Sequence, residues 1–194
     1  MKLLAPLVSI FVLIFANSAL ADGFKYQSET CDFTLELPEG VEVTRQCSPL
    51  EEGEDETCVE QLRYTKTVQG NASIHIDLSC NSIGQIPYDN YNKEKMLFTA
   101  ESYLLSQGNT LDDYELRYIG HENSKRVLVF GSGKSGLSDM IYFGHVWLGR
   151  NSLMSMNARI IGAGNELADN VFKSILVSLA NKVDDQPLEA EATE

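Results

Sequence analysis

Met140-Ile-Tyr-Phe-Gly-His-Val-Trp-Leu148 decides how this chain folds. At strand period, Met140, Tyr142, Val146 and Leu148 point one way, and Ile141, Phe143, His145 and Trp147 the other. A strand that is apolar on both faces needs cover on both, so the stretch predicts a sheet with helices on each side. Its neighbours follow the same rule. Arg126–Phe130 and Leu153–Ile161 read as antiparallel partners, separated from it by Gly131–Gly136 and Gly149–Ser152, both read as turn-rich breaks.

Upstream, Phe33-Thr-Leu-Glu-Leu-Pro38 and Val41-Glu-Val-Thr-Arg45 alternate around a turn at Pro38-Glu-Gly40, which predicts a hairpin. Leu62–Val68 and Ser73–Cys80 predict a second. There Ile74, Ile76, Leu78 and Cys80 face inward, and Ser73, His75, Asp77 and Ser79 face water. A first helix is expected from about Asn92 to Gln107, capped by Asn90 or Asn92, with Met96, Leu97, Ala100, Tyr103 and Leu104 on its apolar stripe. Tyr114–Ile119 reads as a strand. Asn165 is placed as the cap of a second helix reaching about Val183, with Leu167, Val171, Ile175, Leu176 and Leu179 against the sheet. The fold class is therefore α+β: an antiparallel sheet of about six to eight strands sandwiched between two main helices in α/β/α layers.

Residues 1–21 stand apart. Lys2 precedes an apolar run from Leu3 to Phe15 that ends in Asn17-Ser-Ala-Leu-Ala21. This is the pattern of a secretory signal, with cleavage expected between Ala21 and Asp22. The run is short for a bilayer span, and the chain from Asp22 on is expected to be soluble, unanchored, and periplasmic or secreted. It divides into a single domain over 22–183 and an acidic tail, 184–194, expected to be disordered.

The formal charge of −13 disfavours nucleic acid and anionic membrane surfaces, which call for basic patches. Four cysteines, Cys31, Cys47, Cys58 and Cys80, all follow the signal. An even count in an exported chain predicts two disulfides, and three pairings are possible. Cys47–Cys58 is favoured, closing a short loop for about 3 kcal/mol of loop entropy, with Cys31–Cys80 tying the N-terminal strands together. Zinc ligation fails on spacing, since no Cys-x-x-Cys pair exists and His75 is the one imidazole nearby.

Other motifs have blander readings. Glu51–Glu56 carries five carboxylates and could hold calcium, but lacks the ligand alternation of an EF-hand and reads as a solvated loop. Asn71-Ala-Ser73 is a glycosylation sequon only in a eukaryotic secretory host. Gly131-Ser-Gly-Lys-Ser-Gly136 matches Gly-x-Gly-x-x-Gly, but no helix pattern follows to hold a phosphate, so it reads as a flexible hairpin loop. His75, His121 and His145 are scattered, and no serine lies in a nucleophile elbow. His145 and Trp147 could line a pocket beneath a helix, but such a His is more commonly a hydrogen-bonded core residue. No catalytic residue, metal ligand or cofactor is specified.

The order of elements, with Phe33-Thr-Leu-Glu-Leu-Pro-Glu-Gly-Val-Glu-Val43 near the start and Ala168-Asp-Asn-Val-Phe-Lys-Ser-Ile-Leu-Val-Ser-Leu179 at the close, resembles the PsbP/Mog1/DcrB-like family. The family's usual Trp after the Pro-Gly turn is Val41 here. The resemblance implies an antiparallel sheet between helices and a non-enzymatic accessory or binding role, with no shared catalytic residues. The expected function is an exported binding protein whose partner is another envelope protein or a small ligand. A small hydrolase centred on His145 and a calcium module using Glu51–Glu56 are the alternatives.

Overall fold

The computed structural model describes residues 23–31, 33–38, 41–48, 57–68, 72–82, 88–106, 110–121, 123–150, 152–162 and 164–181. Residues 1–21 with the expected Ala21/Asp22 cleavage, the acidic run Glu51–Glu56, Asn71 and the stretch 184–194 lie outside the described residues. The strands are β1 (Phe24–Gln27), β2 (Phe33–Leu37), β3 (Val41–Ser48), β4 (Thr57–Val68), β5 (Ala72–Ser82), β6 (Thr110–Gly120), β7 (Ser124–Ser135), β8 (Ser138–Gly149), β9 (Ser152–Ile161) and β10 (Ala180–Asn181). The helices are α1 (Lys93–Ser106) and α2 (Glu166–Ser178).

Seven strands form one antiparallel sheet in the order β3-β4-β5-β9-β8-β7-β6, and β1-β2-β10 form a small second sheet. The doubly apolar β8 is interior to the large sheet. Tyr142, Val146 and Leu148 pack with Met96, Ala100 and Leu104 of α1. Phe143 and Trp147 join the opposite core, which contains Ala168, Phe172, Ile175 and Leu179 together with Phe33, Leu35 and Leu37 of β2. The two helices thus cover opposite faces, α1 over β6–β8 and α2 over β5 and β9. Full burial of each such large side chain stabilises by about 1.5–3 kcal/mol.

Several expectations need correcting. The predicted β2–β3 hairpin does not form. β2 pairs with β1 and β10, while β3 joins the large sheet on β4, with Cys47 directly opposite Cys58. The turn signal at Pro38 marks a change of sheet, because β2 has a face to bury against α2 whereas β3 is almost wholly exposed. Gly131–Gly136 is not a loop either. β7 continues to Ser135, and only Gly136 and Leu137 turn, with Gly136 at φ +63°. The ladder with β6 holds the glycines in strand, and at Gly133 a Cβ would meet the Thr110 carbonyl oxygen at 2.1 Å.

The N-cap at Asn165 is present, its side chain accepting from the backbone N–H groups of Leu167 (3.0 Å) and Ala168 (3.2 Å). The helix stops at Ser178 rather than Val183. Leu179 is extended, the Glu36 N–H donates to Ser178 Oγ at 2.9 Å, and the chain then pairs with β2 as β10. Its inward face is set by Ala168 and Phe172, which leaves the expected contact Leu167 exposed. Ile141, on the same face of β8 as Trp147, is also half exposed. In α1 the Lys95 N–H donates to Asn92 Oδ1 at 2.9 Å, the expected cap.

The cysteines lie in two pairs. Cys31–Cys80 joins the segment between β1 and β2 to β5, with Cα atoms 6.1 Å apart, and Cys47–Cys58 bridges β3 and β4, with Cα atoms 4.1 Å apart.

Candidate functional site

α1 covers β6–β8, and among the described residues no helix lies over the same face of β3–β5. Outward positions there meet water, and the sequence fills them with polar side chains. Register then lines them up: Glu42 of β3 lies opposite Arg63 of β4, and Arg63 opposite Asp77 of β5. The next row is Thr44, Gln61 and Ser79. With Tyr103 of α1 these residues border an open groove of about 370 Å³.

Asp77 is the groove's electrostatic centre. One of its oxygens accepts from Arg63 Nε at 3.1 Å, and the other lies 3.7 Å from Arg159 of β9. The Arg63 side chain is 70% exposed, so its pair contributes little stability, about 0–1 kcal/mol. Such a guanidinium can exchange Asp77 for an incoming acceptor at small cost. The Tyr103 hydroxyl hydrogen-bonds with Ser155, and burial raises its pKa, so it is a neutral donor or acceptor at the groove wall.

His75 shares this face. Its ring nitrogens lie 2.9 Å from the Ser73 hydroxyl and 3.4 Å from the Thr65 hydroxyl. Burial lowers its pKa, assisted by Arg159 and opposed by Asp77. A hydroxyl rather than a carboxylate sits on the second nitrogen, so the Ser–His contact lacks the acidic orienter of a hydrolytic triad.

His145 and Trp147, read from sequence as core residues with a pocket as the alternative, are 2% and 5% exposed beside a cavity of about 20 Å³. Its other walls are Phe33, Arg126, Met154, Leu179 and Ala180, which include no hydroxyl or thiol. Contrary to expectation, neither ring nitrogen of His145 has a hydrogen-bond partner among the described residues. Burial, then the Arg126 charge, pushes its pKa down to about 3, so the ring is neutral near pH 7 and a weak base. His121 follows β6 in the turn before β7, exposed, its carbonyl accepting from the Tyr88 hydroxyl at 3.1 Å. The structure therefore brings none of the three histidines together.

Gly131-Ser-Gly-Lys-Ser-Gly136 leads into β8, with no helix N-terminus to receive a phosphate. Among the described residues no three His, Cys, Asp or Glu side chains gather as metal ligands. No helix among them is long and apolar enough to cross a membrane.

Sequence reasoning missed Glu42, Gln61, Arg63 and Tyr103 as groove residues. Their signal is the alternation of polar positions on three strands, which becomes a site only once register is known.

No family model matches the chain, and no curated protein matches it. Among solved structures, the Ran-binding protein Mog1p of Saccharomyces cerevisiae is similar at 13% identity and a TM-score of 0.37, over 82% of this chain and 95% of that one. So loose a likeness transfers no residue, ligand or partner.

Proposed function

We propose that this chain is an exported, non-enzymatic binding protein of the cell envelope, and that it holds a polar segment of another envelope protein in the groove over β3–β5. The observation that carries this reading is the solvent-open row Glu42–Arg63–Asp77, flanked by Tyr103 and with no helix packed over it among the described residues. A row of alternating charge suits a partner carrying both signs, and specificity would come from matching that pattern. The signal-like residues 1–21 and the two cysteine pairs support export. The order of helix, four-strand meander and helix supports placing the chain with PsbP/Mog1/DcrB-like proteins.

The test is capture from the native envelope fraction by the protein lacking residues 1–21, compared with its Arg63→Glu variant. The expected result is a protein captured by the parent and lost with Arg63→Glu, at unchanged melting temperature. Equal capture by both removes the groove from the interaction. Recovery of a small molecule in the groove, with no protein, overturns the choice of partner.

A further inference from the structure

The two disulfides sit in opposite environments. Cys31 and Cys80 are 2% and 0% exposed, inside the core. Cys47 is exposed on β3, the outermost strand of the large sheet, while its partner Cys58 is 6% exposed on β4. Arg45, two residues before Cys47 and on the same face, donates from one terminal nitrogen to Cys58 Sγ at 3.7 Å. Its other terminal nitrogen is held by Glu29. A permanent cation thus rests on the inner sulfur, and the outer sulfur faces an edge with no strand beyond it among the described residues.

We propose that Cys47–Cys58 is a thiol–disulfide exchange site, open to a thiol-bearing partner at Cys47 and releasing Cys58 as the thiolate beside Arg45. Exchange requires a thiolate to approach in line with the bond it breaks. The bond bridges β4 to β3, so the in-line path to Cys47 comes off the free sheet edge. The path to Cys58 comes from the β5 side, where the Cys58 N–H donates to Ser82 Oγ at 2.8 Å. The partner's sulfur electron pair forms the new bond to Cys47 Sγ. The electrons of the Cys47–Cys58 bond pass to Cys58 Sγ, and a cation next to a leaving thiolate speeds its departure. Glu60, buried two residues from Cys58 on the same face, is the nearby acid, and its carboxylate accepts from the Thr30 hydroxyl at 3.2 Å.

A second partner thiolate then attacks the partner's sulfur in the mixed disulfide and frees Cys47. Two partner thiols become one disulfide while the protein's disulfide becomes two thiols. The β3–β4 ladder, paired from Val41↔Tyr64 to Ser48↔Thr57, and the sealed Cys31–Cys80 bond keep the domain folded throughout. Cys47 and Arg45 lie on the face of β3 opposite Glu42 and Thr44, so the proposal stands independently of the groove.

The experiment treats the oxidised native protein with reduced glutathione and, separately, cysteamine, quenches with acid, and maps adducts and free thiols by peptide mass. The expected result is an adduct on Cys47 and a free thiol on Cys58, with Cys31–Cys80 opening at least roughly tenfold more slowly. Arg45→Gln should slow the reaction roughly threefold to tenfold and Arg45→Lys restore most of the rate, with melting temperatures checked for both. An adduct on Cys58, equal opening of the two disulfides, or an Arg45→Gln rate equal to the parent's would each overturn it. The adduct map of the parent protein decides the matter even if a variant folds poorly.

Discussion

Protonating His145 should destabilise this protein by a calculable amount. The imidazole is enclosed by Leu128, Met156, Phe143 and Trp147 and sits near Arg126, with no partner on either ring nitrogen among the described residues. Its pKa falls from 6.5 to about 3 on folding, so the unfolded chain takes the proton first. Stability from this group is therefore complete above pH 6.5 and declines as pH drops from 6.5 towards about 3. At pH 5 linkage gives a loss of about 2 kcal/mol relative to pH 7.5, since every tenfold difference in proton affinity between the folded and unfolded chain corresponds to about 1.36 kcal/mol. His145→Met fills similar space and cannot titrate. Urea unfolding of parent and variant at pH 7.5 and 5.0 isolates the effect, because the other titrating groups are common to both. The parent should lose about 2 kcal/mol more than the variant between the two pH values. At pH 7.5 His145→Met should equal the parent or exceed it by up to about 1 kcal/mol, since two unpaired buried nitrogens are removed. Parallel pH curves for the two proteins would refute the reasoning and mean that the imidazole is solvated or hydrogen-bonded.

Trp147→Ala should cost about 3–5 kcal/mol, read from the urea midpoint, because the indole is buried in the core cluster that includes Phe33, Met154 and Leu179. Gly133→Ala should cost about 1–3 kcal/mol and loosen β6, seen as faster amide exchange there, because its Cβ would collide with the Thr110 carbonyl. Asn165→Ala should cost about 1 kcal/mol by uncapping α2, with no change in denaturant slope. If the chain is exported as proposed, its intact mass should give a chain starting at Asp22 and lighter by four hydrogens than its reduced form. Reaction of Cys31 or Cys80 with a thiol reagent in the folded, oxidised protein would contradict that pairing.

The meander β6–β9 was legible because β8 is apolar on both faces, and both helices were legible from Asn92, Asn165 and their apolar spacing. What failed were the places where a local signal does not fix a distant pairing. Pro38-Glu-Gly40 reads as a hairpin turn, but the turn cannot know that β2 will be taken by β1 and β10. Ser132 and Gly133 have poor strand propensity, and they are strand because β6 and β8 pair on either side. Leu167 was expected on the inner face of α2 and Phe172 was not, yet the sheet's geometry turned Phe172 inward and left Leu167 exposed. The groove escaped notice for the same reason. Asp77 reads as one more wetted residue until β4 places Arg63 opposite it.

The pairing of β10 with β2 sets a clock on folding. Thr34 meets Ala180, and Phe33 meets Asn181, partners separated by most of the domain. At typical synthesis rates of about 5–20 residues per second, β2 waits roughly 7–30 s for its last neighbour. The growing chain therefore cannot finish the small sheet or seat α2 against β2 until nearly all of it has emerged. A nascent protein held open in this way stays available to whatever handles unfolded chains, and it reaches its final form as a unit rather than in instalments. Loss of the last few residues of the domain would accordingly be felt at its first strands.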